Sequence, residues 1–100
     1  MNTILYHSRF SRWLEKLKDR RAYGTIIQRI DSARYGNFGK TRCLRNGVSE
    51  MKIDYGPGYR VYYAREDKTI YLLLIGGEKS TQDSDIEKAI ALWKAHEKGE

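Results

Sequence analysis

The sequence predicts an α+β fold in the order βααββββα: a small antiparallel-rich sheet, an N-terminal helical hairpin packed on one face, and a helix at the C-terminal end. Three observations carry it. Apolar residues recur at helical spacing from Phe10 to Ala33, switch to a period of two from Thr41 to Ile75, and return to helical spacing from Asp83 onward. One hundred residues suffice for one core, so residues 1–100 are read as a single domain.

The first element, Thr3 to Tyr6, is a short strand. Ser8 offers an N-cap to a helix whose Phe10, Trp13, Leu14 and Leu17 follow the i, i+3, i+4, i+7 rule. Asp19 caps a second helix with Ala22, Ile26, Ile27, Ile30 and Ala33 on its buried stripe, and the tight connection makes the two an αα-hairpin. The stretch YGNFG, residues 35–39, breaks the helical pattern. Four strands follow: Thr41 to Asn46, Val48 to Tyr55, Tyr59 to Arg65 and Thr69 to Ile75. They are joined by Asn46-Gly47, Gly56-Pro57-Gly58 and Glu66-Asp67-Lys68. The last strand is apolar on both faces, as suits a central strand covered on each side, and Gly76-Gly77 is expected to end it. Ile86, Ala89, Ile90 and Trp93 mark the final helix, Asp83 to about Lys98.

The Gly-Pro-Gly hairpin organises the chain. With Tyr55 opposite Tyr59, Asp54 opposes Arg60, Ile53 opposes Val61, Lys52 opposes Tyr62 and Met51 opposes Tyr63. Alternation then puts Met51, Ile53, Val61 and Tyr63 on an apolar face. Glu50, Lys52, Asp54, Arg60 and Tyr62 fall on a charged and aromatic one, where function is expected.

Charge narrows the partners. The net charge is +6, and its excess lies in residues 1–50, where Lys and Arg outnumber Asp and Glu 11 to 4, against 8 to 9 in residues 51–100. Such a surface favours a polyanion, either nucleic acid or an acidic protein segment. The longest apolar run, Ile70 to Ile75, is far short of the roughly 20 residues a membrane-spanning helix needs. Residues 1–20 lack the apolar core and cleavage site of a secretory signal, so a cytoplasmic location without membrane contact is expected. Cys43 is single and only His7 and His96 accompany it, so no internal disulfide, metal site or cofactor is expected.

Three constellations bear on chemistry. Lys52, Arg60 and Tyr62, with Arg42 or Arg45 from the preceding strand, make a cradle for phosphate oxygens; the same residues also read as a solvated face with an ordinary Asp54–Arg60 cross-strand pair. GGEKSTQD, residues 76–83, brings Lys79 after a strand end but lacks P-loop spacing, and it also reads as a plain strand-to-helix connection capped by Thr81 or Asp83. Of the sheet tyrosines Tyr55, Tyr59, Tyr62, Tyr63 and Tyr71, most read as core; Tyr62 shares a face with Lys52 and Arg60 and is the one expected to stack on a base. Trp13 and Trp93 sit on helical stripes, facing core or partner, and neither His7 nor His96 makes a general base.

FSRWLEKLKD (10–19), GNFGK (36–40), GVSEMKIDYGPGYRVYY (47–63) and LLIGGEKSTQDSDIEKA (73–89) together resemble the RelE/ParE toxin superfamily, in its HigB-like branch related to the phage Gp49 group. The resemblance implies a RelE-like fold and the toxin of a type II toxin–antitoxin pair, neutralised by a small helix-turn-helix, HigA-like antitoxin. Operator DNA would be reached only through that antitoxin. An acidic amphipathic segment of it is expected across the basic face or along the two N-terminal helices.

RelE-like relatives cleave mRNA, usually in the ribosomal A site, without metal. By that resemblance Arg60 matches the arginine of the Gly-Tyr-Arg strand and stabilises the phosphate and transition state, and Lys79 stabilises the phosphate or helps protonate the leaving oxygen. Lys52 stands for part of a lysine pair. Glu50 is a candidate proton acceptor, and Lys40, Arg42, Arg45, Tyr62 and Gln82 are candidate RNA contacts. The chain departs from the pattern where Asp85-Ile86 occupy the first turn of the last helix in place of a Tyr or His, which leaves general acid and base unassigned. Two functions therefore stand: a ribosome-dependent mRNA endoribonuclease that inhibits translation, or a non-enzymatic binding toxin like the ParE relatives that poison DNA gyrase. A degenerate toxin that only binds antitoxin is a third.

Overall fold

The computed structural model describes residues 1–99. Strand β1 (Thr3–Tyr6) leads into helices α1 (Ser8–Glu15) and α2 (Arg20–Arg34), then strands β2 (Thr41–Cys43), β3 (Val48–Ile53), β4 (Tyr59–Asp67) and β5 (Ile70–Glu78). A 3-10 turn, Lys79–Thr81, precedes α3 (Gln82–Glu97). The five strands form one sheet in the order β1-β5-β4-β3-β2, with β1 parallel to β5 and every other pair antiparallel. The expected βααββββα α+β architecture is therefore present.

Each element follows from its residues, with local corrections. His7, not Ser8, caps α1, its Nδ1 accepting the backbone N–H of Arg9 at 3.0 Å. Asp19 caps α2 as expected, accepting from Arg21 and Ala22. Asn46 and Gly47 both take positive φ (56° and 83°) in the loop between β2 and β3, where the Val48 N–H closes a turn on the carbonyl of Arg45 at 3.1 Å.

Helices α1 and α2 bury Phe10, Leu14, Ala22, Ile26 and Ile30 against Met51, Ile53, Val61 and Tyr63 on one face of the sheet. Helix α3 lays Ala89, Ile90 and Trp93 on the other, against Val48, Tyr62, Ala64, Leu72 and Leu74. Strand β5 is thus central and covered on both sides. A bulge at Leu74 shifts its pairing with β4, so that Leu74 and Ile75 both reach the α3 core.

Two expectations about the strands are overturned. The hairpin pairs Ile53 with Tyr59, Lys52 with Arg60, Met51 with Val61 and Glu50 with Tyr62, two residues away from the expected register. The loop is longer than a tight Gly-Pro-Gly turn, running from Asp54 to Gly58. A slip by two keeps every side chain on its assigned face, where a slip by one would have inverted them. Second, Gly76 and Gly77 do not end β5 but lie inside it, paired with Val61 and Arg60. Glycine is required there by crowding: a Cβ on Gly76 would overlap the Trp13 indole, and one on Gly77 would overlap the Asp85 carboxylate.

Candidate functional site

The loop end of the β3–β4 hairpin and the turn after β5 enclose a cleft of about 420 Å³, lined by Lys52, Asp54, Tyr55, Gly56, Pro57, Gly58, Arg60 and Lys79. Lys52 and Arg60 come from paired positions of β3 and β4. Lys79 is brought to them because its backbone N–H donates to the carbonyl of Gly58 at 2.7 Å. Gly58 has φ of +81°, and a Cβ on it would stand 3.4 Å from Nη1 of Arg60 and 3.5 Å from Cβ of Lys79. The cations meet where backbone bulk is least.

Their environments differ. Lys52 and Lys79 are exposed, and neither is ion-paired among the described residues. Arg60 is only 3 % exposed; its Nη1 donates to the Tyr59 carbonyl at 3.1 Å, and its Nε has no hydrogen-bond partner among the described residues. The expected Asp54–Arg60 cross-strand pair is absent, because Asp54 lies beyond the end of β3 and instead takes Lys40 Nζ at 2.5 Å. That hydrogen bond, then the charge of Lys40 itself, holds the Asp54 carboxyl below the usual carboxylate range.

Glu50 is completely buried behind Arg60. Its Oε1 accepts from Arg42 Nε at 2.9 Å, its Oε2 accepts from Gln82 Nε2 at 2.7 Å, and the same Oε2 lies 4.0 Å from Arg60 Nε. A carboxylate so enclosed cannot receive a proton from a substrate in the cleft, which corrects the expectation of Glu50 as proton acceptor. Tyr62 is corrected too. Helix α3 covers its ring completely, leaving no face for a base to stack on. Burial, reinforced by the carboxylates of Glu50 and Asp85, pushes its phenol well above the ordinary tyrosine range, so it keeps its proton.

The remaining expected contacts separate. Lys40 reaches the cleft rim through Asp54, and Arg42 and Gln82 reach it only through Glu50. Arg45 is drawn away by an ion pair to Glu87 of α3. Gln82 also lines a neighbouring hollow with Lys79, Ser80, Thr81, Asp83 and Ser84.

Sequence reasoning missed Arg29. This α2 side chain donates to the carbonyls of Lys52 at 2.7 Å and Phe38 at 2.9 Å, anchoring the strand end that presents Lys52. Gly39 allows it, since a Cβ there would collide with the guanidinium. Helical spacing marked Arg29 as lying off the buried stripe, and no local signal reports a partner 23 residues away. The described residues contain no helix long and apolar enough to cross a membrane, and no group of three or more His, Cys, Asp or Glu side chains placed to hold a metal ion.

No family model matches the chain. The chain is similar in structure to a chain of the RelBE2 toxin–antitoxin complex from Mycobacterium tuberculosis, with a TM-score of 0.60 and 21% identity, covering 78% of this chain and 98% of that one. The fold is therefore RelE-like. In sequence it is 46% identical over 80 residues to an uncharacterized protein of Haemophilus influenzae, a match spanning 80% of this chain and 81% of that protein. The chain belongs to one family with that Haemophilus influenzae protein and builds it on a RelE-like fold.

Proposed function

We propose that this protein is the cytoplasmic toxin of a type II toxin–antitoxin pair, of the HigB-like branch, and that it acts as a metal-independent, ribosome-dependent mRNA endoribonuclease. The observation that carries the reading is the convergence of Lys52, Arg60 and Lys79 on one open cleft. Three cations against the single carboxylate of Asp54 make a site of positive potential suited to a phosphate, with Arg60 as a fixed donor and the lysines as mobile charges. An antitoxin is the partner in this reading, as the structural neighbour is part of a toxin–antitoxin complex; that it is a helix-turn-helix protein rests on the sequence resemblance alone.

In such a site the 2′-oxygen attacks phosphorus in line, the bond to the 5′ oxygen breaks, and a 2′,3′-cyclic phosphate and a 5′-hydroxyl form. Lys79 Nζ supplies the proton that the 5′ oxygen takes. The 2′-hydroxyl releases its proton to solvent, because Asp54, held ionised by Lys40, is a weak base. Catalysis then rests on orientation and on charge stabilisation at the equatorial oxygens.

One observation favours the non-enzymatic reading. Glu50 and Tyr62, two of the groups with acid–base chemistry on the charged face, are both withdrawn from solvent. A cleft that only binds would suffice for a ParE-like inhibitor of DNA gyrase. Primer extension on mRNA after a brief pulse of expression separates the two: discrete codon-linked ends support the nuclease. Intact transcripts accompanied by a DNA-damage response overturn it.

A further inference from the structure

Glu50 joins four elements at one buried point. It stands on β3, is held by Arg42 of β2, holds Gln82 at the start of α3, and faces Arg60 of β4. Buried ion pairs are seldom retained for stability alone, since packed apolar residues do as well. The arrangement here instead controls geometry.

The carboxylate lies 4.0 Å from Arg60 Nε, an ion pair through charge without a hydrogen bond. Through Gln82 it also sets the end of the turn that carries Lys79, whose other end is tied to Gly58. We infer that Glu50 is a positioning residue, which fixes the separation and orientation of Arg60 and Lys79 in the cleft without touching the substrate. The geometry stands by itself; its consequence for rate rests on the reading of the cleft as the site of RNA cleavage.

The chemistry of the pair suggests its own control. Replacing Glu50 by Gln removes the charge and turns an amide NH2 either to Arg42 Nε, which can only donate, or to Gln82, whose amide must then turn over to accept. Exchanging the two side chains, Glu50→Gln with Gln82→Glu, returns one carboxylate and one amide to the same buried point. A general base would not survive that exchange, because its oxygen would have moved from strand β3 to helix α3; a positioning contact would.

The experiment measures ribosome-dependent mRNA cleavage for wild type, Glu50→Gln, Gln82→Ala and the exchanged double variant. In parallel, the Arg60 Nε–Hε signal is followed by 15N NMR on the protein alone, assigned through its loss in Arg60→Lys. Glu50→Gln is expected to lower kcat about 100-fold, the scale of an ångström of misplacement, with KM within about threefold and the shape of the pH–rate profile unchanged. The Arg60 Nε–Hε signal should shift as the carboxylate charge 4.0 Å away is removed. The double variant should recover at least about tenfold of the lost rate.

Loss of the acidic limb of the pH profile in Glu50→Gln, or an Arg60 signal left unmoved, overturns the inference. Should Glu50→Gln fail to give a dispersed amide spectrum, Gln82→Ala decides, by faster amide exchange at residues 79–82 or its absence. If wild type cleaves no RNA, only the reading of the cleft fails, and the NMR arm still tests the positioning.

Discussion

The backbone N–H of Lys79 donates to the carbonyl of Gly58 across 2.7 Å, so the hairpin tip and the turn leading into α3 are joined backbone to backbone. Gly58 holds φ of +81°, where a side chain costs about 1–2 kcal/mol in backbone strain. A Cβ there would also press on Arg60 and Lys79. Gly58→Ala should therefore lower the melting temperature by about 4–8 °C per kcal/mol lost, and lower activity by more than that stability loss accounts for. A thermal melt beside a cleavage assay, both below the transition, checks it.

Lys79 is exposed and unpaired among the described residues, so its removal isolates function from folding. Lys79→Ala should leave the melting temperature within about 4 °C of wild type, because surface substitutions of this kind stay within about ±0.5 kcal/mol. Growth arrest and mRNA cleavage should fall about 10²-fold or more, the typical loss for one preorganised donor. Arg60→Lys, which keeps the buried charge but loses the planar fork, should fall similarly. Undiminished growth arrest by either folded variant would remove the cleft from the mechanism.

The Tyr62 hydroxyl is buried without a hydrogen-bond partner among the described residues. An orphaned buried group of this kind costs about 1–3 kcal/mol. Tyr62→Phe should be neutral or stabilising in a urea melt and should leave cleavage and growth arrest unchanged. A residue that stacks on a base or donates a proton would instead lose activity.

Trp13 packs over Gly76 so closely that no Cβ fits between them. Gly76→Ala should cost about 1–3 kcal/mol, as overpacking does. Combining it with Trp13→Leu should cost less than the sum of the two single changes, since the smaller side chain makes room; a double-mutant cycle by chemical denaturation measures that coupling.

His7 caps α1 with a neutral Nδ1, and burial, then the neighbouring charges of Arg9 and His96, lowers its folded-state pKa below the ordinary 6.5. The unfolded chain thus takes up the proton first as pH falls. The cap's contribution is fully present above about pH 6.5 and is lost as pH drops through the lower folded value. His7→Asn keeps a capping oxygen that does not titrate. Relative to this variant, wild type should lose stability between pH 7 and 5 and match its slope above pH 7, as urea melts across that range would show.

Local pattern determined much of this protein. Periods of 3.6 and 2 placed the helices and strands, Asp19 marked the start of α2, and alternation along EMKIDYGPGYRVYY sorted its side chains by face even though the register was off by two. Alternation is a property of parity, so it survives an even slip. It also grouped Lys52 with Arg60, and the motif around Gly76-Gly77 supplied Lys79.

What tertiary structure decided was which of those side chains meets water. Helix α3 lies over Tyr62 and closes off Glu50, and Asp54 turns to Lys40 rather than Arg60. Arg29 reaches β3 from α2, 23 residues away. A sequence window reports the face on which a side chain stands, but the element that covers that face comes from elsewhere in the chain. Burial turned a row of equivalent charges into one open cleft with a fixed floor.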